Sequence, residues 1–204
     1  MEVGYKEYLE LLSKIKESGK KPKILLHACC APCSSEVLEE LKDYFDITIY
    51  YYNPNIYPFS EYQKRNEQFL KLPHCFNYIE GKYEKEKFDE AIKGFENAGE
   101  LSIRCYKCMQ FRMKDTAIKA KENGFDYFTT TLSISPYKKS DWINEIGKEL
   151  EREIDIPFLY SNFKKKEGYK KSIALSIKYN LYRQHYCGCI YSLNEAKNNQ
   201  RKEA

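Results

Sequence analysis

The sequence predicts a single α/β domain in which helices sandwich one largely parallel β-sheet. Short apolar runs typical of buried strands alternate along the chain with longer amphipathic stretches at helical spacing. The length of 204 residues is typical of one domain, and hydrophobic residues make up 42% of the chain, enough for a sizeable core. No internal repeat and no Gly-, Ser- or Pro-rich linker divides it.

Five apolar runs are predicted strands, at Ile24–Ala28, Ile47–Tyr52, Phe76–Glu80, Tyr127–Leu132 and Phe158–Tyr160. Helices are predicted at about residues 4–18, 34–44, 60–71, 84–97, 106–122, 140–153 and 168–180. Ser34 and Ser35 are suited to open the second helix, and Asn123–Gly124 is a typical end for the fifth. Ligands bind beyond the carboxyl ends of parallel strands, so the residues that follow each strand are the first candidates for a site.

The charge balance excludes little. The chain has 34 Lys and Arg against 30 Asp and Glu, a net charge of +4, which permits a polyanionic partner without requiring one. No segment approaches the roughly 20 apolar residues of a membrane helix, and the acid-containing N-terminus resembles neither a signal nor a transit peptide. We therefore expect a cytoplasmic protein without a membrane partner. In a reducing compartment, its 8 cysteines are expected to be ligands or catalysts rather than structural disulfides.

Three cysteines directly follow the first predicted strand, in His27-Ala28-Cys29-Cys30-Ala31-Pro32-Cys33. Adjacent strand residues point to opposite faces of a sheet. Cys29 and Cys30 can therefore share one metal only where the strand has ended, and otherwise each faces a separate centre. Pro32 disfavours early helix hydrogen bonding and helps to keep Cys33 near the loop.

Two further motifs carry paired thiols. Cys105 and Cys108 are three residues apart, so they share one helical face, and the spacing fits zinc, an iron–sulfur cluster or a redox dithiol. Arg104, Lys107 and Arg112 add positive charge around them. Cys187-Gly188-Cys189 can chelate a metal or form a small, easily reduced disulfide ring. Cys75, beside His74, has no cysteine nearby and is expected to be an ordinary thiol.

Seven clustered thiols are too many for one metal ion. A four-iron cluster takes four cysteines and leaves three for a second centre or a redox pair. A single zinc ion would also take four but would leave the other three unexplained.

Two loops after predicted strands are candidates for the substrate site. Asn53-Pro54-Asn55-Ile56-Tyr57-Pro58 is equally well explained as a plain turn or as a substrate-lining loop, and Arg65 beyond it suits a phosphate or an acidic partner. Ser133 and Ser135 follow the fourth strand. The lysines at 164–166 and 170–171 are typical of a solvated face and would also suit RNA phosphates.

These motifs occur in an order that resembles the epoxyqueuosine reductase QueH family. The resemblance covers about residues 22–193 and rests on His27–Cys33, Asn53–Ile56, Arg104–Cys108, Thr129–Pro136 and Leu181–Cys189. It divides the chain into an N-terminal helical extension at 1–21, an iron–sulfur reductase domain at 22–193 and a polar C-terminal tail at 194–204.

The resemblance implies a fold similar to the adenine-nucleotide α-hydrolase group and the last step of queuosine biosynthesis, in which epoxyqueuosine in a tRNA anticodon is reduced to queuosine. It implies a 4Fe–4S cluster held by Cys29, Cys30, Cys105 and Cys108, and a nearby mononuclear iron, with Cys33 a further candidate ligand. Cys187 and Cys189 would be a catalytic redox-active pair or ligands of the second iron. The partners would be tRNA and an external electron donor.

Two other hypotheses compete with this one. A tRNA sulfur-inserting enzyme of related fold would need an ATP-binding phosphate loop, and the chain has no GxxxxGK[ST], Ser-Gly-Gly-x-Asp-Ser or GxGxxG signature. A non-enzymatic zinc protein that binds RNA would hold zinc without sulfide. Sequence does not choose the acid that protonates the epoxide oxygen; His185 and Tyr186 are candidates.

Overall fold

A parallel sheet of four strands, in the order β3-β2-β1-β4, lies at the centre of the computed structural model, which describes residues 3–73 and 76–203. The strands are β1 (Lys23–His27), β2 (Asp46–Tyr51), β3 (Asn77–Glu80) and β4 (Tyr127–Thr130). Ile24 of β1 is in register with Ile47 of β2 and with Tyr127 of β4. All strand pairs are parallel, so their carboxyl ends lie at one edge of the sheet.

Eight helices accompany the strands in the described part of the chain. They are α1 (Val3–Ser18), α2 (Ala31–Leu41), α3 (Phe59–Glu67), α4 (Lys85–Ala91), α5 (Ile103–Glu122), α6 (Ser140–Ile154), α7 (Gly168–Lys178) and α8 (Ile190–Glu203). Short 3₁₀ helices lie at Gln68–Lys71, Thr131–Ile134 and Lys165–Glu167. None of these helices combines the length and the apolar character that crossing a membrane requires.

The two faces of the sheet are covered by different helices. Ile24 and Leu26 of β1 pack in one hydrophobic cluster with residues of α1 and α2, including Tyr8, Leu12, Val37, Leu38 and Leu41. Leu25, between them, packs in the other cluster with residues of α5 and α6, including Met113, Ala117, Ile143 and Ile146. This alternation follows from the two-residue period of a strand. It confirms the predicted α/β class with helices on both faces of a parallel sheet.

The element boundaries differ from the prediction in ways that hydrogen bonding explains. The predicted strand at Phe158–Tyr160 is wrong, because Phe158 makes only an isolated parallel bridge to Phe128. The fourth strand ends at Thr130, whose side-chain oxygen accepts a hydrogen bond from the Leu132 amide and starts a 3₁₀ turn.

The second helix begins earlier than predicted. Cys30 is its N-cap and Pro32 lies in its first turn, where the missing N–H of proline is not needed. Ser34 and Ser35 do not open the helix; their hydroxyls donate back to the carbonyls of Cys30 and Pro32. Helix α5 does end at Asn123–Gly124 as predicted, with Gly124 at φ +66.

The N-terminal segment forms the predicted helix, and the C-terminal segment has more structure than the sequence indicated. Helix α1 contributes Tyr8, which is 2% exposed and donates to Glu40 over 2.6 Å. Helix α8 was not predicted, and it takes in most of the stretch described above as a polar tail. It is tied to α5 by an ion pair of 3.2 Å between Arg104 and Glu195. The division of the chain at residues 22 and 193 stays a prediction.

Candidate metal centre

The cysteine motifs meet at the carboxyl edge of the sheet, where strand order predicts a site. Cys29 and Cys30 follow β1, the Asn53–Asn55 turn follows β2, and Ser135–Lys138 follows β4. His27, at the end of β1, is fully buried and joins these ends: its Nδ1 lies 2.8 Å from the Thr130 hydroxyl and its Nε2 lies 3.2 Å from the Tyr52 carbonyl oxygen. Burial lowers the pKa of His27 to about 3, so this side chain is a neutral hydrogen-bonding connector.

The first thiol group consists of Cys29, Cys30 and Cys33, whose sulfur atoms all lie within 4.8 Å of one another. Cys29 Sγ and Cys30 Sγ are 3.8 Å apart. They converge because β1 ends at His27, so the strand rule that separates neighbouring side chains no longer applies. Cys33 reaches them from the first turn of α2. The structure thus favours a shared centre for Cys29 and Cys30.

One thiolate in this group is strongly favoured. Hydrogen bonds from the Cys30 and Cys33 thiols lower the pKa of Cys29 well below its usual range, and Lys138 and Arg112 lower it further. The same interaction raises the pKa of Cys30 to about 12. Thiolates are the form of cysteine that binds metals, so a cation at this position would replace the shared protons.

The second thiol group consists of Cys105, Cys108, Cys187 and Cys189, which line one cavity of about 60 Å³. Cys105 and Cys108 lie in the first two turns of α5, as their spacing predicted. Cys187 and Cys189 flank Gly188, which adopts φ +139, a conformation that suits glycine. Cys187 also lines a second cavity, of about 330 Å³, together with Cys29 and Cys33. The two thiol groups therefore face adjoining spaces.

A buried arginine joins the cysteine motifs. Arg112 is 2% exposed, and it donates to the Cys108 carbonyl oxygen and to Asn53 Oδ1, each over 3.2 Å. Asn53 in turn donates to the Ala28 carbonyl over 2.8 Å. This chain of hydrogen bonds runs from the end of β1 to α5, so it fixes the first thiol group relative to Cys108.

A lysine provides the second cation between the groups. Lys138 Nζ lies 3.2 Å from Cys187 Sγ. Burial opposes charge on this ammonium, but the Cys187 and Cys29 thiolates outweigh it and raise the pKa of Lys138. In the same way burial opposes the Cys187 thiolate, and Lys138 and Arg112 outweigh it and lower the pKa of Cys187.

Arg65 of α3 holds the Cys187–Cys189 segment through hydrogen bonds to its backbone. The guanidinium is 1% exposed; Nη1 donates to the Cys187 carbonyl over 3.0 Å and Nη2 to the Tyr186 carbonyl over 3.3 Å. Its Nε is paired with Glu61 at 2.7 Å. Of the two partners predicted for Arg65, the acid is observed. Gln184, just before this segment, donates through Nε2 to Cys30 Sγ over 3.3 Å.

Other predicted site residues divide between the site and the core. Asn55 lines the cavity of the second thiol group, and Ser135 and His185 line the larger one. Ser133 instead lies fully buried, 3.1 Å from the Ser161 hydroxyl. Tyr186 donates to the Tyr57 carbonyl over 2.5 Å, and burial raises its pKa to about 12. Its proton is therefore engaged, which disfavours Tyr186 as the acid.

Two residues of the site were missed from the sequence, Tyr137 and Lys138, and two that were considered lie outside the described residues, His74 and Cys75. The signal for the missed pair was available, since Tyr137 and Lys138 follow the fourth strand as Cys29 follows the first.

The predicted RNA-binding lysines are partly used within the protein: Lys170 is paired with Glu167 at 3.0 Å and Lys171 with Glu36 at 3.5 Å. All seven described cysteines are free thiols.

Comparison with known proteins gives a consistent result. A family model described as "Epoxyqueuosine reductase QueH" matches residues 24–195. Among curated proteins, the epoxyqueuosine reductase QueH of Staphylococcus epidermidis is 41% identical over 93% of this chain and 84% of its own length. The protein of the same name from Streptococcus pyogenes is 38% identical over 93% of this chain and 78% of its own. That of Thermotoga maritima is 38% identical over 85% of this chain and 92% of its own.

A solved structure also aligns with the chain. It is described as a predicted subunit of a tRNA methyltransferase from Methanocaldococcus jannaschii, and it covers 76% of both chains with a TM-score of 0.47 and 13% identity. The similarity of the fold to the adenine-nucleotide α-hydrolase group stays a prediction.

Proposed function

The chain belongs to the epoxyqueuosine reductase QueH family, and on that premise we propose that it reduces epoxyqueuosine in a tRNA anticodon to queuosine with a 4Fe–4S cluster and a second redox centre. The enzyme is an oxidoreductase, and the reaction belongs to queuosine biosynthesis. The observation that carries the cofactor part of the proposal is the meeting of seven thiols in two groups at one edge of the sheet.

The donor set fits an iron–sulfur cofactor. The three sulfurs of the first group are already within 4.8 Å of one another, and one of them is a favoured thiolate. Soft thiolates are the ligands of iron–sulfur clusters, and a 4Fe–4S cluster takes four of them. The buried Arg112 and the half-buried Lys138 offset the negative charge that such a centre brings.

The proposed ligands of the cluster are Cys29, Cys30, Cys105 and Cys108, with Cys33 on the second iron. The grouping of the thiols is also compatible with a second partition. The cavity of Cys105, Cys108, Cys187 and Cys189 offers four thiols, the number that a cluster takes, and the first group then surrounds the second iron. Iron and sulfide counts in cysteine variants separate these partitions.

The reaction needs two electrons and two protons: the epoxide loses its oxygen as water and an alkene forms. When bound, the iron centres supply single electrons and a Lewis acid for the epoxide oxygen. The chain itself offers a balanced alternative source, since oxidation of the Cys187 and Cys189 thiols to one disulfide releases two electrons and two protons. An external donor must then reduce the pair again.

The chain's own charged and polar groups act around that chemistry. Lys138, at 3.2 Å from Cys187 Sγ, stabilises a thiolate there. Because the Tyr186 proton is held by the Tyr57 carbonyl, His185, which lines the cavity of about 330 Å³, is the better placed candidate to protonate the departing oxygen.

Anaerobic purification tests the proposal. We expect a brown protein with sulfide and with more than about four irons per chain, because seven clustered thiols exceed the needs of one cluster. The holoenzyme with an artificial reductant should convert epoxyqueuosine-tRNA to queuosine-tRNA, measured by mass spectrometry of the nucleosides. A colourless protein that holds only zinc after anaerobic reconstitution would support the non-enzymatic RNA-binding hypothesis instead.

A further inference from the structure

One exposed aromatic side chain lies at the entrance to the cavities that the two thiol groups line. Tyr137 is 72% exposed, and it lines both the cavity of the second thiol group and the cavity that contains Cys29, Cys33 and Cys187. It also lines a shallow depression of about 560 Å³ that continues outward from them. Its position at three adjoining spaces places the ring where a molecule entering the thiol site would contact it.

The loop that carries Tyr137 is fixed on both sides of the ring. The Tyr137 amide donates to the Ser135 hydroxyl over 3.3 Å, and the Lys138 amide donates to the Ser135 carbonyl over 3.2 Å. The Lys138 side chain then turns inward to Cys187, while its carbonyl accepts from Lys164 Nζ over 2.8 Å. The ring is thus presented on a backbone that is already ordered, which reduces the entropic cost of binding a partner.

The charges around this mouth favour an anionic partner. The cations that line the three spaces are Arg104, Arg112, Lys138, Lys139, Lys164 and Arg183, and the acids are Glu100, Asp141 and Glu195. A second apolar side chain, Leu101, is 45% exposed and lines two of the same spaces. Exposed aromatic and apolar surface inside a cationic rim is the arrangement that binds single-stranded nucleic acid, through stacking and phosphate contacts.

We propose, on the basis of the proposed function above, that Tyr137 is the stacking platform for an unpaired nucleotide of the tRNA anticodon loop next to the modified one. Enzymes that act on a base take it out of its stack, and the neighbouring base then needs a new partner. The Tyr137 ring supplies that partner at the rim, while the modified base enters towards Cys187. Lys139, whose Nζ lies 4.0 Å from the Trp142 ring centroid, contacts a phosphate beside it.

The test measures binding rather than turnover, with anaerobically prepared holoenzyme and an unmodified anticodon stem–loop RNA. Trp142 is the single tryptophan of the chain, so quenching of its fluorescence reports RNA bound near Tyr137. Fluorescence anisotropy of labelled RNA gives the dissociation constant. Tyr137→Ala should raise the dissociation constant about 5- to 150-fold, the range for loss of one base–aromatic stack. Tyr137→Phe, which keeps the ring, should remain within about twofold of the parent.

Salt dependence distinguishes stacking from a general loss of the surface. Tyr137→Ala should leave the slope of log Kd against log salt unchanged, whereas Lys139→Ala should reduce it by about one. Ile177→Ala is the matched control, because Ile177 is 76% exposed on α7 and is not among the residues that line these spaces. Iron content and thermal unfolding show that each variant retains the fold.

The outcomes distinguish failure of the stacking role of Tyr137 from failure of the proposed function. If the parent binds the RNA and Tyr137→Ala binds it equally well, the stacking role is overturned while the proposed function stands. Equal losses in Tyr137→Phe and Tyr137→Ala would also overturn it, since the ring alone would not be what binds. A parent protein that binds neither this RNA nor the same stem–loop with epoxyqueuosine would overturn both proposals.

Discussion

Arg65 is a buried residue that holds the Cys187–Cys189 segment in position. It is a buried cation that satisfies two carbonyl groups, those of Tyr186 and Cys187, and it has one acidic partner. The Glu61 carboxylate also accepts from Tyr182 over 3.2 Å. A guanidinium is suited to this task because its planar fork presents several N–H groups in fixed directions.

Arg65→Gln should therefore destabilise the protein by about 3–5 kcal/mol, because the Glu61 carboxylate, 11% exposed, is left without its cation. Urea unfolding of the anaerobic protein measures this. Adding Glu61→Gln to Arg65→Gln should recover part of the loss, since it removes the unpaired charge. Cys187 should also react faster with iodoacetamide in Arg65→Gln, because its segment has lost two hydrogen bonds. An Arg65→Gln protein with unchanged stability and unchanged alkylation would show that the segment is held by other contacts.

At the same scale, the cysteines differ in what their loss should do. Cys105→Ala and Cys108→Ala should each lose the iron–sulfur absorption, because both residues lie on one face at the start of α5 and line the thiol cavity. Cys75→Ala is the control, and it should keep both the cluster and the activity, because Cys75 has no cysteine near it in the sequence. A Cys75→Ala protein without iron would contradict this division of the thiols.

Among the elements, helix α6 packs so closely on Phe158 at Gly147 that no side chain would fit between them. A Cβ atom added at Gly147 would lie 2.1 Å from a ring carbon of Phe158, whereas one added at Gly99 would meet nothing within 4 Å. Phe158 makes the parallel bridge to β4, so the contact transmits the position of α6 to the strand that leads into Ser135–Lys138.

Gly147→Ala should accordingly lower the free energy of unfolding by about 1–3 kcal/mol, the usual cost of overpacking a core. Gly99→Ala is the matched control and should change it by less than about 0.5 kcal/mol. Denaturant unfolding of both variants checks the comparison. Equal stabilities in the two variants would mean that α6 moves away from Phe158 at little cost.

For the whole molecule, the central result is the division of seven thiols into groups of three and four. If Cys29, Cys30, Cys105 and Cys108 hold the cluster, Cys187→Ser and Cys189→Ser should abolish queuosine formation and keep the cluster's spectrum and sulfide. Loss of about one iron per chain would then identify the pair as ligands of the second iron. Unchanged iron with a redox-dependent thiol titre in the parent would identify a dithiol that cycles.

Loss of all sulfide from Cys187→Ser or Cys189→Ser would favour the other partition, in which the cavity of four thiols holds the cluster. Iron and sulfide analysis of the same anaerobic samples measures both outcomes. Ser192→Ala is a suitable control, since its hydroxyl accepts from the Cys187 amide over 3.1 Å but offers no thiol. It should retain the iron and sulfide of the parent.

The amino-acid sequence was enough to predict the α/β class, the types of most elements and the end of the sheet at which the site lies. These are local properties: the two-residue and 3.6-residue periods, the turn residues and the cysteine spacings are all legible over a few positions. The ordered motifs from His27 to Cys189 also sufficed to indicate the family, which the comparisons confirmed.

The folded structure was needed to show which thiols meet, that Lys138 and Arg112 lie between them, and that Arg65 supports the Cys187–Cys189 segment. Such contacts join residues far apart in the chain, for example Gln184 and Cys30, which are 154 positions apart. Spacing in the sequence carries no information about such distances. They are set by the parallel strand order and by how α3 and α5 pack around the strand ends, and they bring Arg112 to the Cys108 carbonyl and Lys138 to Cys187.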